Sequence, residues 1–118
     1  MKRRRATSNE EFFERELKKY ARIKDGKIED VNWEGLSEIN NKREGNEQIY
    51  EGLINLLKDK GIIITPKQNT YLVFGCGMIL SPDHYQGNMG FTRKKDAEEY
   101  KKAFYGGARY DTYIAKVE

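Results

Sequence analysis

The chain has 118 residues, with 22 Lys and Arg against 19 Asp and Glu and a formal net charge of +3 at pH 7. That length supports one core without disulfide or metal staples, and no apolar run approaches the ~18 residues that would span a bilayer. The charge is unevenly placed: Lys2, Arg3, Arg4 and Arg5 form a basic arm, residues 9–60 carry ten basic against thirteen acidic side chains, and residues 61–118 carry eight against six. The body is therefore close to neutral, which argues against a protein that coats nucleic acid with a basic face.

Residues 1–7 read as a disordered basic arm ahead of a single domain over 8–118. The polar run from Ala6 to Glu11 lacks the apolar stretch of a secretory signal. Ser8 and Glu11 make a capping box, and Phe13, Leu17, Tyr20 and Ala21 fall on one helical stripe, predicting a helix that stops near Lys24 with Gly26 beyond its end. A rival reading pairs Ile23 with Ile28 across an Asp25-Gly26 hairpin turn; the upstream periodicity favours the helix. Asn32 caps a second, brief helix with Trp33, Leu36 and Ile39 at spacings of three. Ile49, Leu53, Leu56 and Leu57 mark a longer one that Gly61 closes.

The pattern changes at Gly61. Ile62 to Thr65 and Thr70 to Phe74 read as two strands of a hairpin around Pro66-Lys67-Gln68-Asn69. Gly75-Cys76-Gly77 reads as a bulge or bend before Met78-Ile79-Leu80, and residues 81–88 as a loop. Thr92 is placed to cap a helix over 92–105 with Ala97, Tyr100 and Phe104 inward; Gly106-Gly107 ends it, and Tyr110 to Val117 forms a closing strand. Helices first, then a small sheet crossed by one helix, is an α+β order. The expected fold is N-terminal helices packed beside a three- or four-stranded antiparallel sheet, with one further helix before the C-terminal strand.

Catalytic signals are thin. Cys76 and His84 are the only nucleophile–base candidates, eight residues apart across a Pro-containing loop, while the apolar neighbours of Cys76 read as packing around a small hydrophobe. A single cysteine excludes an internal disulfide and suits a reducing cytoplasm. One His, one Cys and Asp83 are too few for a structural zinc site, and Gly75-Cys76-Gly77 lacks the rest of a phosphate-binding loop. No cofactor, metal or membrane is called for.

Two features point to macromolecular partners. In the 92–105 helix, Arg93, Lys94, Lys95, Lys101 and Lys102 are interleaved with Glu98 and Glu99, which reads as a salt-bridged solvent face. Residues 90–98, Gly-Phe-Thr-Arg-Lys-Lys-Asp-Ala-Glu, resemble the sheet-to-helix junction of the arm-type DNA-binding domain of phage-style tyrosine recombinases. That module lays its sheet in the major groove, whereas residues 62–80 here carry Lys67 alone as a basic side chain. Tyrosine is the other feature. Four of the eight fall in the last nineteen residues, and Tyr105, Arg109, Tyr110 and Tyr113 are the candidate partner-binding set, since Tyr and Arg dominate binding hot spots.

The expectation is a small non-enzymatic binding or regulatory protein acting on a protein or nucleoprotein partner. Its size and its Lys, Asn and Ile content fit an accessory protein or inhibitor of a phage or mobile element. One alternative is a DNA- or RNA-binding protein using Lys2, Arg3, Arg4, Arg5, Arg93 and Lys94 with the Tyr-rich end; a second is a Cys76-dependent enzyme.

Overall fold

The computed structural model describes residues 11–41, 43–83, 87–105 and 112–118, without the side chains of 41, 43–47 and 105. Helix α1 (residues 11–17) is shorter than its apolar stripe. It closes in a tight turn, with the amides of Lys19 and Tyr20 donating to the carbonyls of Glu16 and Leu17. The chain then forms the hairpin β1 (Ala21–Lys24) and β2 (Lys27–Val31), in which Ile23 faces Ile28. The expected helix through Lys24 is thus corrected to the rival hairpin. Asp25 and Gly26 have φ of 52° and 76°, the two positive values that a type I′ turn demands and that Asp-Gly supplies at low strain. Propensity at two turn residues outweighed a periodicity that Tyr20 and Ala21 continue only by coincidence.

Helix α2 (Trp33–Asn41) starts as expected, its Gly35 amide donating to the Asn32 side-chain oxygen at 3.0 Å, an N-cap bond. Helix α3 (Arg43–Asp59) ends in a Schellman pair: the Ile62 amide donates to the Leu57 carbonyl and the Gly61 amide to the Lys58 carbonyl, both at 2.9 Å.

Strands β3 (Ile63–Ile64), β4 (Tyr71–Gly75), β5 (Met78–Ile79) and β6 (Gly90–Phe91), with β7 (Tyr113–Lys116), form a five-stranded antiparallel sheet. The α+β class is as expected, the sheet has five strands where three or four were expected, and the β1–β2 hairpin makes a second, two-stranded sheet. The expected pairing of β3 with β4 does not occur. β3 pairs with β6, which also meets β4 at Tyr71–Phe91. The 66–69 segment still turns, held by Thr70, whose hydroxyl accepts from the Lys67 amide at 3.1 Å, but it carries the chain past the inserted β6. The insertion is positioned by the β5–β6 loop, where the Tyr50 hydroxyl of α3 donates to the Pro82 carbonyl at 2.9 Å and Lys58 meets Asp83 at 3.3 Å.

At the expected bulge or bend, Cys76-Gly77 is a second two-residue hairpin turn: Phe74 pairs with Ile79 and Gly75 with Met78, while Cys76 and Gly77 have φ of 53° and 76°. Cys76 is exposed, which corrects its reading as a buried hydrophobe. The closing strand begins at Tyr113; Tyr110 lies outside the described residues.

Helix α4 (Lys94–Tyr105) packs with α2 and α3 over one face of the sheet. Thr92 does not cap it: the Thr92 hydroxyl donates back to the Gly61 carbonyl at 2.8 Å, tying β6 to the end of α3. Trp33 is fully buried at the centre, edge-on to Phe91 (5.5 Å) and Tyr100 (5.8 Å). Leu17, Leu36, Leu53, Leu57, Ile63 and Val73 complete this core.

Candidate functional site

Side chains alternate across a strand, so the register sorts the sheet into two faces. Ile63, Tyr71, Val73, Phe91 and Ile114 face the helices. The other face carries Ile64 on β3, Gly90 on β6, Leu72 and Phe74 on β4, Ile79 on β5, and Tyr113 and Ala115 on β7. The described helices pack on the opposite face, and none of these residues is charged; Leu72 (8% exposed) and Gly90 are buried, Ile64, Phe74, Ile79 and Ala115 are half-buried, and Tyr113 stands exposed. Gly90 lies against the Thr70 and Leu72 side chains, where a Cβ would sit 3.0 Å from Thr70 Cβ and 3.4 Å from Leu72 Cδ2.

At its β7 side, Phe74 and Tyr113 are directly opposed, their rings stacked at 5.2 Å and 14°. Tyr113 is 56% exposed, one of three exposed large apolar side chains among the described residues. Ile114, its neighbour, turns inward against the core, as strand alternation requires. An aromatic ring fixed by a stacked partner, on an uncharged sheet face, can offer contact area with little ordering cost.

The rest of the expected partner-binding set is not brought into view: Arg109 and Tyr110, and the side chain of Tyr105, lie outside the described residues. Of the nucleic-acid set, Lys2, Arg3, Arg4 and Arg5 also lie outside. Lys94 is exposed. Arg93 is committed internally, its Nε donating to Asp96 at 2.6 Å and one terminal nitrogen to the carbonyls of Ile28 and Glu29 at 2.6 and 3.2 Å. Those carbonyls sit where the β1–β2 register shifts between Arg22 and Ile23, and a bulge frees main-chain groups for such use. Asp96, 2% exposed, also accepts the Trp33 indole N–H at 3.0 Å. Lys95 reaches the Glu29 carbonyl and Asp30, whose second partner is Arg22. The hydrogen bond from Lys95, and then that from Arg22, hold the Asp30 carboxyl below its ordinary value. These basic residues clasp the hairpin to α4.

His84 lies outside the described residues, and Cys76 stands at a hairpin tip. Among the described residues no three His, Cys, Asp or Glu side chains gather into a metal-binding group, and no helix is long and apolar enough to cross a membrane. A shallow concavity of about 840 Å³ beside the β1–β2 hairpin is lined by Lys19, Arg22, Asp25 and Asp30 among others. Its charges are largely paired within the fold, Lys19 with Glu16 and Arg22 with Asp30.

The open face was missed in the sequence, although its signal was there: Tyr71-Leu72-Val73-Phe74 is apolar on both strand parities, the mark of a strand meant to be covered twice. No protein-family model, curated protein or solved structure matches the chain.

Proposed function

We propose that this chain is a small non-enzymatic binding protein that docks a protein partner on the open face of its five-stranded sheet, with Tyr113 as the principal anchor. The observation that carries this is the exposed Tyr113 ring stacked on the half-buried Phe74, on a sheet face without charged residues in a sequence of which 35% is charged. Tyr113 projects from the stack on Phe74, with the Leu72–Ala115 pair next along the strands and Ile79 beyond Phe74 on β5. Such a protein works by occupancy, as an inhibitor or adaptor, and its effect scales with the fraction of partner bound.

The test uses the full chain as bait in nuclease-treated lysate. The wild type should retain a defined protein, and Tyr113→Ala should weaken its affinity by ~2 kcal/mol, about thirtyfold, as a hot spot does. Lys102→Ala on the exposed side of α4 should not. Equal retention by all three baits, or loss of the partner on nuclease treatment, would refute the reading. The second outcome would restore a nucleic-acid partner held by the arm and Lys94, since Arg93 is already engaged.

A further inference from the structure

We propose that β7 pairs edge to edge with β7 of a second copy of this chain, joining two five-stranded sheets into one. This goes beyond the docking face and holds whether or not that face binds a partner.

The argument starts from the ladder. The Val117 amide donates to the Thr70 carbonyl and the Val117 carbonyl accepts from the Asn69 amide, both at 2.8 Å, so Val117 turns its main-chain groups toward β4 opposite a bulge at Asn69-Thr70. Bonded and non-bonded pairs alternate in an antiparallel ladder, so Leu72–Ala115 and Phe74–Tyr113 are also bonded pairs, and Val73–Ile114 is not. The Val73 carbonyl agrees, accepting the Leu80 amide at 2.7 Å on the opposite edge of β4. Ile114 and Lys116 therefore turn their main-chain N–H and C=O groups outward, and Thr112 continues the alternation. Among the described residues nothing pairs with this edge.

An open edge asks for an extended strand, and the side chains favour its own copy. Antiparallel pairing centred on Ile114 sets Ile114 against Ile114 of the second copy and Tyr113 against Ala115, the largest side chain of the strand against the smallest. Lys116 falls opposite Thr112, so no like charges face each other. The two-fold axis of this pairing stands perpendicular to the sheet, so both open faces lie on the same side and become one surface.

Five paired residues make a contact only ~17 Å long, one strand wide, which belongs with the small, transient class of interfaces. The dimer is accordingly weak and forms only at high protein concentration.

Sedimentation equilibrium of the full chain from 5 μM to 1 mM tests this, together with amide exchange at both ends of the range. The chain should pass from monomer to dimer. The Ile114 and Lys116 amides should be protected only at high concentration, whereas those of Tyr113 and Ala115, already in the ladder, are protected throughout. Lys116→Pro removes an outward N–H that the β4–β7 ladder does not use. It should leave the melting temperature near that of Lys116→Ala and weaken the dimer at least tenfold relative to that control. A chain that stays monomeric to 1 mM overturns the proposal. So does a dimer in which Ile114 and Lys116 exchange freely, a readout that stands even if Lys116→Pro fails to fold. Loss of partner capture on Tyr113→Ala with no dimer at any concentration would leave the docking face intact and remove the edge pairing alone.

Discussion

Replacing Asp96 with alanine should unlock the contact between the helical layer and the β1–β2 hairpin. The Asp96 side chain is 3% exposed, and it accepts from Trp33 Nε1 at 3.0 Å and from Arg93 Nε at 2.6 Å. Its removal leaves the indole N–H buried without a partner, which costs about 1–3 kcal/mol. The Arg93 side chain is 28% exposed and keeps the Ile28 and Glu29 carbonyls, so the lost ion pair adds only about 1 kcal/mol once solvent screening is allowed for. The expected total is roughly 2–4 kcal/mol, a large part of the ~5–15 kcal/mol that holds a domain folded. Trp33 is the only tryptophan, so urea unfolding read by its fluorescence samples the contact itself, with far-UV circular dichroism as the global probe. Trp33→Phe removes the donor, and the two substitutions together should cost at least about 1 kcal/mol less than their sum. A loss below ~0.5 kcal/mol for Asp96→Ala, the range of ordinary surface substitutions, would refute the clasp.

Leu53 is fully buried in α3, and Leu53→Ala should cost about 2–5 kcal/mol in the same urea assay. Cys76 is exposed with φ of 53° at the first position of its turn. It should react stoichiometrically with a thiol reagent in the folded protein, and Cys76→Asn, which makes the favoured Asn-Gly pair, should stabilise by up to about 1 kcal/mol. The Asp30 carboxyl should titrate by NMR below its ordinary value, and Lys95→Met should move it back up. Because the folded-state value is the lowered one, the Asp30 contribution is present above the unfolded value and fades as pH falls through the folded one. Ile114→Ala should lower the melting temperature more than Tyr113→Ala, since Ile114 packs on the core while Tyr113 is 56% exposed.

What was legible in the sequence was local. Asn32, Gly61 and the stripe of Leu53 and Leu57 announce α2 and α3 because caps and periodicity act within a few residues. Ala97, Tyr100 and Phe104 mark the inner face of α4 on the same grounds. Failures came where a choice depended on distant partners. Ile62 to Thr65 and Thr70 to Phe74 look like a hairpin until Gly90-Phe91, two residues too short to read as a strand, is inserted between them. Arg93 reads as a free cation until the bulged carbonyls of Ile28 and Glu29, more than sixty residues away, are seen to receive it. Tyr113 was singled out in the sequence, but its partner in the stack, Phe74, was not. Cross-strand register alone brings them together.

The central claim, that the open sheet face receives a protein, is tested most directly by site-specific photocrosslinking. A photoreactive residue placed at Ile79 or Ile64 lies on that face away from the β7 edge, and one at Lys102 lies on the exposed side of α4. In nuclease-treated lysate the two face positions should yield the same discrete protein adduct, and Lys102 should yield none. Adducts formed from Lys102 but not from Ile79 or Ile64 would contradict the account.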